Sequence, residues 1–242
     1  MINIVIPMAG EGSRFVKAGY EKPKPFINIQ GKPMIVRVIE NLQLPEARFI
    51  LIGRKSHLEA EREIVSKIES KYNATFIGID KLTEGTACTI LFARSFINNE
   101  TPLLIANSDQ IVDISMSEFV NDCATRELDG SILTFKDLER NRKWSFAKTN
   151  DSGLVLEVKE KVPISDIATV GIYLFKRGKD FVDSAIDMFI NNDRVNNEFY
   201  TCPIYNYMIL RSKKIGVYNI SQSQMHGIGT PEDLTRYIRS NI

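Results

Sequence analysis

The chain has 242 residues, 43% hydrophobic and 25% charged, a balance typical of a folded globular protein of one large or two small domains. A net charge of +1 gives no general basic field, so we expect neither a nucleic-acid nor a membrane partner. The three cysteines lie far apart, which argues against a disulfide scaffold, and two histidines are too few for a multi-histidine metal site. The sequence has no apolar run of membrane-spanning length and no signal-peptide pattern, which argues against export. We therefore expect a cytoplasmic protein.

Strand and helix patterns alternate through the first half of the chain. Apolar runs predict strands at 2–6, 48–52, 75–79 and 102–106, and helical spacing of apolar residues predicts helices at 33–42, 57–72, 86–96 and 115–128. Thr86 is the predicted N-cap of the third helix. Such alternation is typical of a Rossmann-like α/β fold, a mixed, mainly parallel sheet flanked by helices, which binds ligands at the carboxyl ends of its strands.

The second half has more strands, mostly joined by short polar turns. The pattern predicts strands at 131–135, 145–149, 155–160, 168–175 and 215–220, and helices at 178–190, within 198–211, and at 231–240 with Pro231 in the first turn. No linker or internal repeat divides the sequence. We therefore expect a single domain over 1–242, with halves 1–130 and 131–242 on a shared sheet.

The segment after the first strand carries the clearest functional signal. Gly10 and Gly12 allow a tight turn with close approach to a ligand, and successive backbone N–H groups in such a turn can bind an anion. Arg14 is a fork donor suited to phosphate oxygens, and Lys22 and Lys24 add ammonium charges in a Lys-Pro-Lys-Pro run that stiffens the backbone carrying them. Together these residues predict a polyphosphate site.

This combination resembles the signature of the sugar-phosphate nucleotidylyltransferases, the NDP-sugar pyrophosphorylase family, which reads roughly G-x-G-x-R followed by P-K-P. Among them it resembles most the short capsule-biosynthesis nucleotidylyltransferases. The dinucleotide fingerprint G-x-G-x-x-G fails because its third glycine falls on Phe15, and no P-loop Gly-Lys-Ser/Thr follows. The resemblance implies a nucleotide-diphospho-sugar transferase fold, an NTP and a phosphorylated small-molecule acceptor as substrates, Mg²⁺ as cofactor, and a possible homo-oligomer.

The resemblance also assigns residues to the nucleotide, which half 1–130 would bind. Arg14 and Lys24 match catalytic positions, and Asp109, at the end of the fourth predicted strand, matches the metal-binding aspartate. The implied nucleotide-binding residues are Met8, Ala9, Gly10, Glu11, Gly12 and Ser13 in the glycine turn, Glu84, Gly85 and Thr86 where Glu-Gly-Thr-Ala resembles the family's G-T-A segment, and Ser108.

Half 131–242 would bind the acceptor. Glu160 and Lys161 match the family's E-K-P segment, although Val162 replaces the proline, and a Val-Gly-Ile-Tyr strand matches beside the acceptor pocket. Trp144 has two interpretations, a wall of the pocket or a packing residue. The implied acceptor-binding residues are Trp144, Glu160, Lys161, Gly171, Glu198, Tyr200 and His226.

The segment 225–231 resembles the family's W-x-D-x-G-T-P but departs from it at two positions. Met225 replaces the tryptophan, and Gly227 replaces the aspartate that would complete the metal site. His226, beside that gap, is a candidate to hold the metal, a water or an acceptor phosphate.

The resulting hypothesis is a nucleotidylyltransferase that joins an NTP to a sugar-1-phosphate in capsule or surface polysaccharide synthesis and releases pyrophosphate. One alternative is CTP-dependent cytidylyl transfer to a phosphorylated non-sugar. A second is a glycosyltransferase of related fold that uses an NDP-sugar; the absence of D-x-D and the presence of Arg14 and Lys24 argue against it. A third is a silent regulatory subunit, which retention of Arg14, Lys24 and Asp109 disfavours.

Overall fold

The computed structural model describes residues 1–240. Its strands are β1 Ile2–Pro7, β2 Asn28–Ile29, β3 Lys32–Pro33, β4 Ala47–Arg54, β5 Ala74–Ile79, β6 Leu103–Ala106, β7 Gln110–Val112, β8 Gly130–Lys136, β9 Ser145–Thr149, β10 Val155–Glu160, β11 Ile167–Phe175, β12 Ile215–Ile220 and β13 Met225–Gly227. Its α-helices are α1 Ser13–Lys17, α2 Met34–Asn41, α3 Lys55–Ala60, α4 Arg62–Lys71, α5 Thr86–Ile90, α6 Arg94–Ile97, α7 Met116–Thr125, α8 Gly178–Ile190, α9 Ile204–Leu210 and α10 Pro231–Ser240. Short 3₁₀ helices cover Lys24–Phe26, Leu91–Ala93 and Gln222–Gln224.

Nine strands form one central sheet, which confirms the predicted mixed α/β fold. The path runs β10-β9-β11-β6-β1-β4-β5, and β8 pairs with both β11 and β12. The strands of the first half, β6, β1, β4 and β5, are parallel to one another. Strand β11 is antiparallel to β6 and so joins the two halves in the same sheet.

The sheet has a separate apolar core on each face because alternate residues of a strand point to opposite sides. In β1, Ile4 and Ile6 enter one core and Val5 enters the other, and none of the three is exposed. Burying such a side chain fully contributes about 1.5–3 kcal/mol, so the run Ile-Val-Ile fixes β1 at the centre of the sheet. The carboxyl end of β1 then delivers the glycine turn.

Two predicted helices are interrupted in the structure. The helix predicted at 57–72 divides into α3 and α4 at Glu61, whose backbone (φ −114°, ψ 31°) leaves the helical region. The helix predicted at 86–96 consists of α5, a 3₁₀ turn and α6. The prediction that Thr86 is an N-cap is wrong: Gly85 is the N-cap, and the Thr86 hydroxyl instead contacts the Thr201 hydroxyl at 3.0 Å.

A short antiparallel pair, β7 with β13, brings the end of the chain beside Asp109. Gly227 lies opposite Gln110, and the Ile228 N–H donates to the Asp109 carbonyl at 2.9 Å. The sequence gives little sign of this pairing because each strand has three residues and they lie more than 100 positions apart. Within residues 1–240, no helix has the length and hydropathy needed to cross a bilayer.

Candidate active site

A cleft of about 650 Å³ opens at the carboxyl ends of β1 and β6. Thirteen of the predicted site residues line it: Met8, Ala9, Gly10, Glu11, Gly12, Arg14, Lys24, Gly85, Thr86, Ser108, Asp109, Glu198 and Tyr200. The fold therefore brings the glycine turn, the Glu-Gly-Thr-Ala loop and the end of β6 to one place. Ligands of open α/β sheets bind at such carboxyl ends.

The glycine turn presents unpaired backbone donors to this cleft. The N–H groups of Gly10, Glu11 and Gly12 have no hydrogen-bond acceptor within residues 1–240. Gly12 has φ +62°, and an added Cβ would lie 3.0 Å from Lys24 Cβ, so glycine is needed both for the turn and for the approach of Lys24. Such a turn of free N–H groups suits an anion. Ser13 begins α1 and does not line the cleft.

Three charged side chains meet in the cleft beside that turn. The Lys24 ammonium forms an ion pair with the Asp109 carboxylate, and both side chains are mostly buried. The Arg14 guanidinium is exposed and has no carboxylate partner among the described residues. Lys22 points elsewhere, since its ammonium donates to Glu61 at 2.6 Å. The Arg14 guanidinium and the Lys24 ammonium, whose charge Asp109 offsets in part, therefore face any phosphate that enters the cleft.

The Glu-Gly-Thr-Ala loop is held against the segment that carries Glu198 and Tyr200. The Phe199 N–H donates to the Glu84 carbonyl at 2.7 Å, and the Ala87 N–H donates to the Phe199 carbonyl at 3.0 Å. Gly85 has φ +123°, and a Cβ there would overlap the Phe199 backbone. This contact explains why glycine occupies position 85.

Glu84 itself faces away from the cleft. Its carboxylate accepts from Arg194 Nη2 at 2.6 Å, and the Arg194 guanidinium lies 4.0 Å from the Phe199 ring centroid. Glu84 therefore supports the loop from outside.

Lys161 and Glu160 form a polar group with Tyr200, and of these three predicted acceptor residues only Tyr200 lines the cleft. Lys161 Nζ donates to the Tyr200 hydroxyl at 2.6 Å. Burial lowers the pKa of Lys161, but the hydrogen bond to Tyr200 and the charges of Glu160 and Glu198 outweigh it, so its net pKa is raised. Burial also raises the pKa of Tyr200, although Lys161 partly offsets this. The ammonium therefore stays charged beside a neutral phenol.

Glu160 is buried within β10. Burial raises the pKa of its carboxyl group, and the hydrogen bond from the Ser145 hydroxyl and the charge of Lys161 offset only part of that rise. The charged run Glu-Val-Lys-Glu-Lys at 157–161 is typical of an exposed strand end. The structure corrects this for Glu160, because the side chain turns inward to Ser145.

Asn107 is a cleft residue that was not among the predicted binding residues, although it lies just past a strand end, where this fold binds ligands. Its N–H donates to the Gly171 carbonyl at 3.0 Å. Gly171 has φ +95°, and a Cβ added there would also overlap the Asn107 side chain. Gly171 thus supports the cleft from behind without lining it. The available signal was position, since Asn107 directly follows a buried strand and precedes Ser108 and Asp109. Pro7, Pro25, Leu82, Thr83 and Thr89 also line the cleft and were not predicted.

Trp144 and His226 do not line the cleft. Trp144 packs edge-on against Phe135, with ring centroids 5.3 Å apart, as expected from the packing interpretation. His226 Nε2 lies 2.6 Å from Asp113 Oδ2, and its ring centroid is 5.8 Å from that of Tyr237.

A divalent ion has one matched carboxylate in this cleft. Among residues 1–240, no group of three or more His, Cys, Asp or Glu side chains could hold a metal. Mg²⁺ prefers one or two carboxylates together with phosphate oxygens and water, so Asp109 with a bound triphosphate fits this ion. Gly227 leaves open space, since a Cβ there would meet nothing within 4 Å.

Comparison with known proteins identifies the family. The family model described as Nucleotidyl transferase matches residues 4–235, nearly the whole chain. The chain belongs to the nucleotidyl transferase family. This confirms the predicted relationship to sugar-phosphate nucleotidylyltransferases and the predicted enzyme class.

The relatives of this nucleotidyl transferase differ in length. It is 24% identical over 178 residues to the bifunctional protein GlmU of Methanococcus aeolicus, which covers 72% of the chain and 40% of GlmU. It is 24% identical over 211 residues to UTP–glucose-1-phosphate uridylyltransferase AglF of Haloferax volcanii, covering 78% of the chain and 84% of AglF. The chain therefore spans less than half the length of some curated relatives.

A solved structure confirms the fold of the nucleotidyl transferase. The nucleoside-diphosphate-sugar pyrophosphorylase from Vibrio cholerae RC9 superimposes with a TM-score of 0.83 over 98% of this chain and 99% of that protein, at 24% sequence identity.

Proposed function

We propose that the chain transfers a nucleotidyl group from an NTP to the phosphate of a phosphorylated small molecule, with a sugar-1-phosphate as the favoured acceptor. One observation carries the proposal: the unpaired N–H groups of the glycine turn, the free Arg14 guanidinium and the Lys24–Asp109 pair face one cleft. The amides of the glycine turn and the two cations can bind the phosphates of an NTP, and the Asp109 carboxylate can bind a divalent ion.

The reaction needs no covalent intermediate with the protein. An acceptor phosphate oxygen attacks the α-phosphorus in line, a new P–O bond forms, and the bond from the α-phosphorus to the bridging oxygen breaks as pyrophosphate leaves. The main barrier is repulsion, because a monoester phosphate brings about −1.5 to −2 charge to an anionic triphosphate. Catalysis is then positioning and charge neutralisation.

Each charged residue has a role in this scheme. The amides of the glycine turn and Arg14 bind the departing pyrophosphate. Lys24 holds the α-phosphate and the acceptor phosphate together. Mg²⁺, when held by Asp109 and the triphosphate, supplies further neutralisation of phosphate charge. Because Lys24 is already paired with Asp109, the ammonium and the metal-binding carboxylate start next to each other.

The acceptor side suits a phosphorylated sugar. Tyr200 lines the cleft, its hydroxyl accepts a hydrogen bond from the charged Lys161 ammonium, and the buried Glu160 carboxyl lies next to Lys161 in the chain. We extend the proposal to capsule or surface polysaccharide synthesis in the cytoplasm, with half 1–130 binding nucleotide and half 131–242 binding acceptor. The alternative of cytidylyl transfer to a non-sugar draws support from Gly227 and Met225, which replace the aspartate and the tryptophan of the family's segment.

The test is a substrate matrix. Five NTPs (ATP, CTP, GTP, UTP and TTP) are combined with sugar-1-phosphates and phosphorylated polyols, with Mg²⁺, and pyrophosphate release is measured. The proposal expects release that requires both an NTP and one acceptor class, with an NDP-linked product detected by mass spectrometry. A glycosyltransferase would instead release NDP from an NDP-sugar. Turnover of NDP-sugars without pyrophosphorolysis, or no acceptor-dependent release, would refute the proposal.

A further inference from the structure

One wall of the cleft is not used by the phosphate chemistry. It consists of Leu82, Thr83, Gly85 and Thr89, and all four residues line the cleft. Thr89 is 6% exposed, whereas the Leu82 side chain is largely open to the cleft and solvent, with 52% of the residue exposed. The wall therefore combines an apolar surface with two hydroxyl groups.

The two hydroxyls and the Gly85 carbonyl form a closed triangle. Thr83 Oγ1 lies 2.9 Å from the Gly85 carbonyl oxygen and 2.6 Å from Thr89 Oγ1, which itself lies 3.2 Å from the same carbonyl. The Thr89 N–H also donates to that carbonyl at 3.1 Å. The geometry thus engages three oxygens in mutual hydrogen bonds.

The number of hydroxyl hydrogens determines which hydrogen-bonding groups this triangle offers to a ligand. Each threonine hydroxyl has one hydrogen and two acceptor lone pairs, and a carbonyl oxygen has only lone pairs. The 2.6 Å contact between the hydroxyls uses one hydrogen, and the other points to the Gly85 carbonyl. This holds whichever threonine donates to the other. Both hydrogens are used within the triangle, so only lone pairs remain for a ligand group that reaches these hydroxyls.

A ligand group that meets these hydroxyls must therefore bring its own hydrogen. We propose that this wall selects a nucleotide whose base has an exocyclic amino group, as in cytosine, adenine or guanine, over uracil and thymine. The inference rests on the proposed function, because it assumes that the cleft holds an NTP. Leu82 covers the face of the base, and the threonine pair accepts from the amino group. Where cytosine has that amino group, uracil has a carbonyl oxygen, which would face lone pairs.

The expected discrimination is on the order of tenfold in Kd, because a nucleotide that leaves a buried polar group unpaired binds about tenfold more weakly. Kd is measured by calorimetry for ATP, CTP, GTP, UTP and TTP with Mg²⁺ and no acceptor. The inference expects at least one amino-base nucleotide to bind about tenfold tighter than UTP and TTP. Preference for UTP or TTP, or equal binding of all five, would overturn it while leaving the proposed function intact. Binding of none would overturn both.

Variants link the preference to the triangle. Thr83→Val and Thr89→Val remove a hydroxyl at nearly constant shape and should each reduce the amino-base preference, whereas Thr89→Ser keeps the hydroxyl and should retain it. Thr125→Val, on an exposed face of α7 away from the cleft, is the matched control. A preference that persists in the Thr83→Val/Thr89→Val double variant would overturn the inference.

The ribose hydroxyls are a competing donor, and a deoxynucleotide separates them from the base. If the triangle binds the amino group, the effect of Thr89→Val on Kd should be the same for CTP, 2′-deoxy-CTP and 3′-deoxy-CTP. Loss of that effect with either deoxynucleotide would assign the triangle to the sugar and overturn the inference. Circular dichroism melting of each variant checks that the compared proteins are folded. Thr89→Ser, which keeps the hydroxyl, is the conservative variant in that comparison.

Discussion

Two glycines near the end of the chain, Gly227 and Gly229, differ in the space around them. A Cβ added to Gly229 would lie 2.5 Å from Asp109 Oδ2, whereas one added to Gly227 would meet nothing within 4 Å. Gly229 therefore makes room for the carboxylate that pairs with Lys24. The position of Asp109 depends on the segment that β13 places beside it.

Gly229→Ala should displace the Asp109 carboxylate and lower kcat about 100-fold, because misplacing a reacting group by about 1 Å has effects of that size. Gly227→Ala, two residues away, should remain within about twofold of the unmodified protein, since its surroundings are open. Pyrophosphate release at saturating substrate measures both. Equal loss in the two variants would show that the Asp109 contact is not the cause.

The buried Glu160 carboxyl should make the stability of the protein depend on pH. Its pKa is raised in the folded protein, so the folded state holds the proton more tightly than the unfolded chain does. Stability is then lost as the pH rises from about 4.5, the unfolded value, through the raised folded pKa. Glu160→Gln removes this loss and should raise Tm relative to the unmodified protein by an amount that grows from pH 4 to pH 8.

Glu157→Gln is the control for that experiment, because Glu157 lies on the same strand with a half-exposed side chain that pairs with Lys159. Its Tm difference from the unmodified protein should stay nearly constant with pH. A Glu160→Gln difference that shrinks as the pH rises would contradict the assignment of a raised pKa.

At the scale of elements, the ends of the glycine-turn segment are tied to neighbouring structure before any ligand arrives. Arg54, at the end of β4, donates from Nε to the Ala9 carbonyl at 3.0 Å, and its guanidinium lies 3.6 Å from the Glu11 carboxylate. Glu61, at the break between α3 and α4, accepts from Lys22 at 2.6 Å. These contacts order segment 8–24 in advance.

Arg54→Met should raise KM for the NTP about tenfold with a smaller change in kcat, because the turn loses a charged hydrogen-bond donor and must be ordered by the nucleotide. Hydrogen exchange of the Met8 amide, which donates to the Ile52 carbonyl at 2.8 Å, should become faster. Arg62→Met, an exposed arginine at the start of α4, is the control and should change neither quantity. Unchanged exchange in Arg54→Met would remove Arg54 from this role.

The elements also show what the sequence can and cannot predict. The run Ile-Asn-Ile-Val-Ile predicts β1 because apolar periodicity is local, and the glycine turn follows directly from it. The break at Glu61 was missed because no proline or glycine marks it. The pairing of β7 with β13 was missed because strands of three residues have no periodicity of their own.

Site residues follow the same division. Lys24 and Asp109 were found because they belong to short motifs at strand ends, and both line the cleft. Thr89 was missed because only the tertiary fold turns it toward the cleft, whereas the position of Asn107 just past a strand end was an available signal. Trp144 had two interpretations that sequence could not separate, and its contact with Phe135 is a tertiary fact.

At the scale of the molecule, the sheet is continuous across the proposed nucleotide and acceptor halves. Strand β6 of the first half pairs with β11 of the second, and β11 also pairs with β8 and β9. The cleft lies where the two halves meet, with Asn107 bonded to Gly171 across that junction. Separating the halves would expose apolar strand edges on both.

We therefore propose that the chain unfolds as one domain. Thermal melts followed by far-UV circular dichroism and by Trp144 fluorescence should give one transition with the same midpoint, and a tightly bound NTP should shift both midpoints equally. Two transitions, or a shift of only one of them by nucleotide, would contradict the single domain.

The central claim is that Lys24 and Asp109 carry out nucleotidyl transfer in this cleft. The most direct measurement follows α-³²P-labelled NTP into product with Mg²⁺ and the acceptor found in the substrate matrix, in the unmodified protein, Lys24→Ala, Asp109→Asn and the control Lys22→Ala. We predict label in an NDP-linked product for the unmodified protein and for Lys22→Ala, whose ammonium is directed to Glu61. Lys24→Ala and Asp109→Asn should be folded and inactive. Labelled product from Lys24→Ala at the rate of Lys22→Ala would contradict the account.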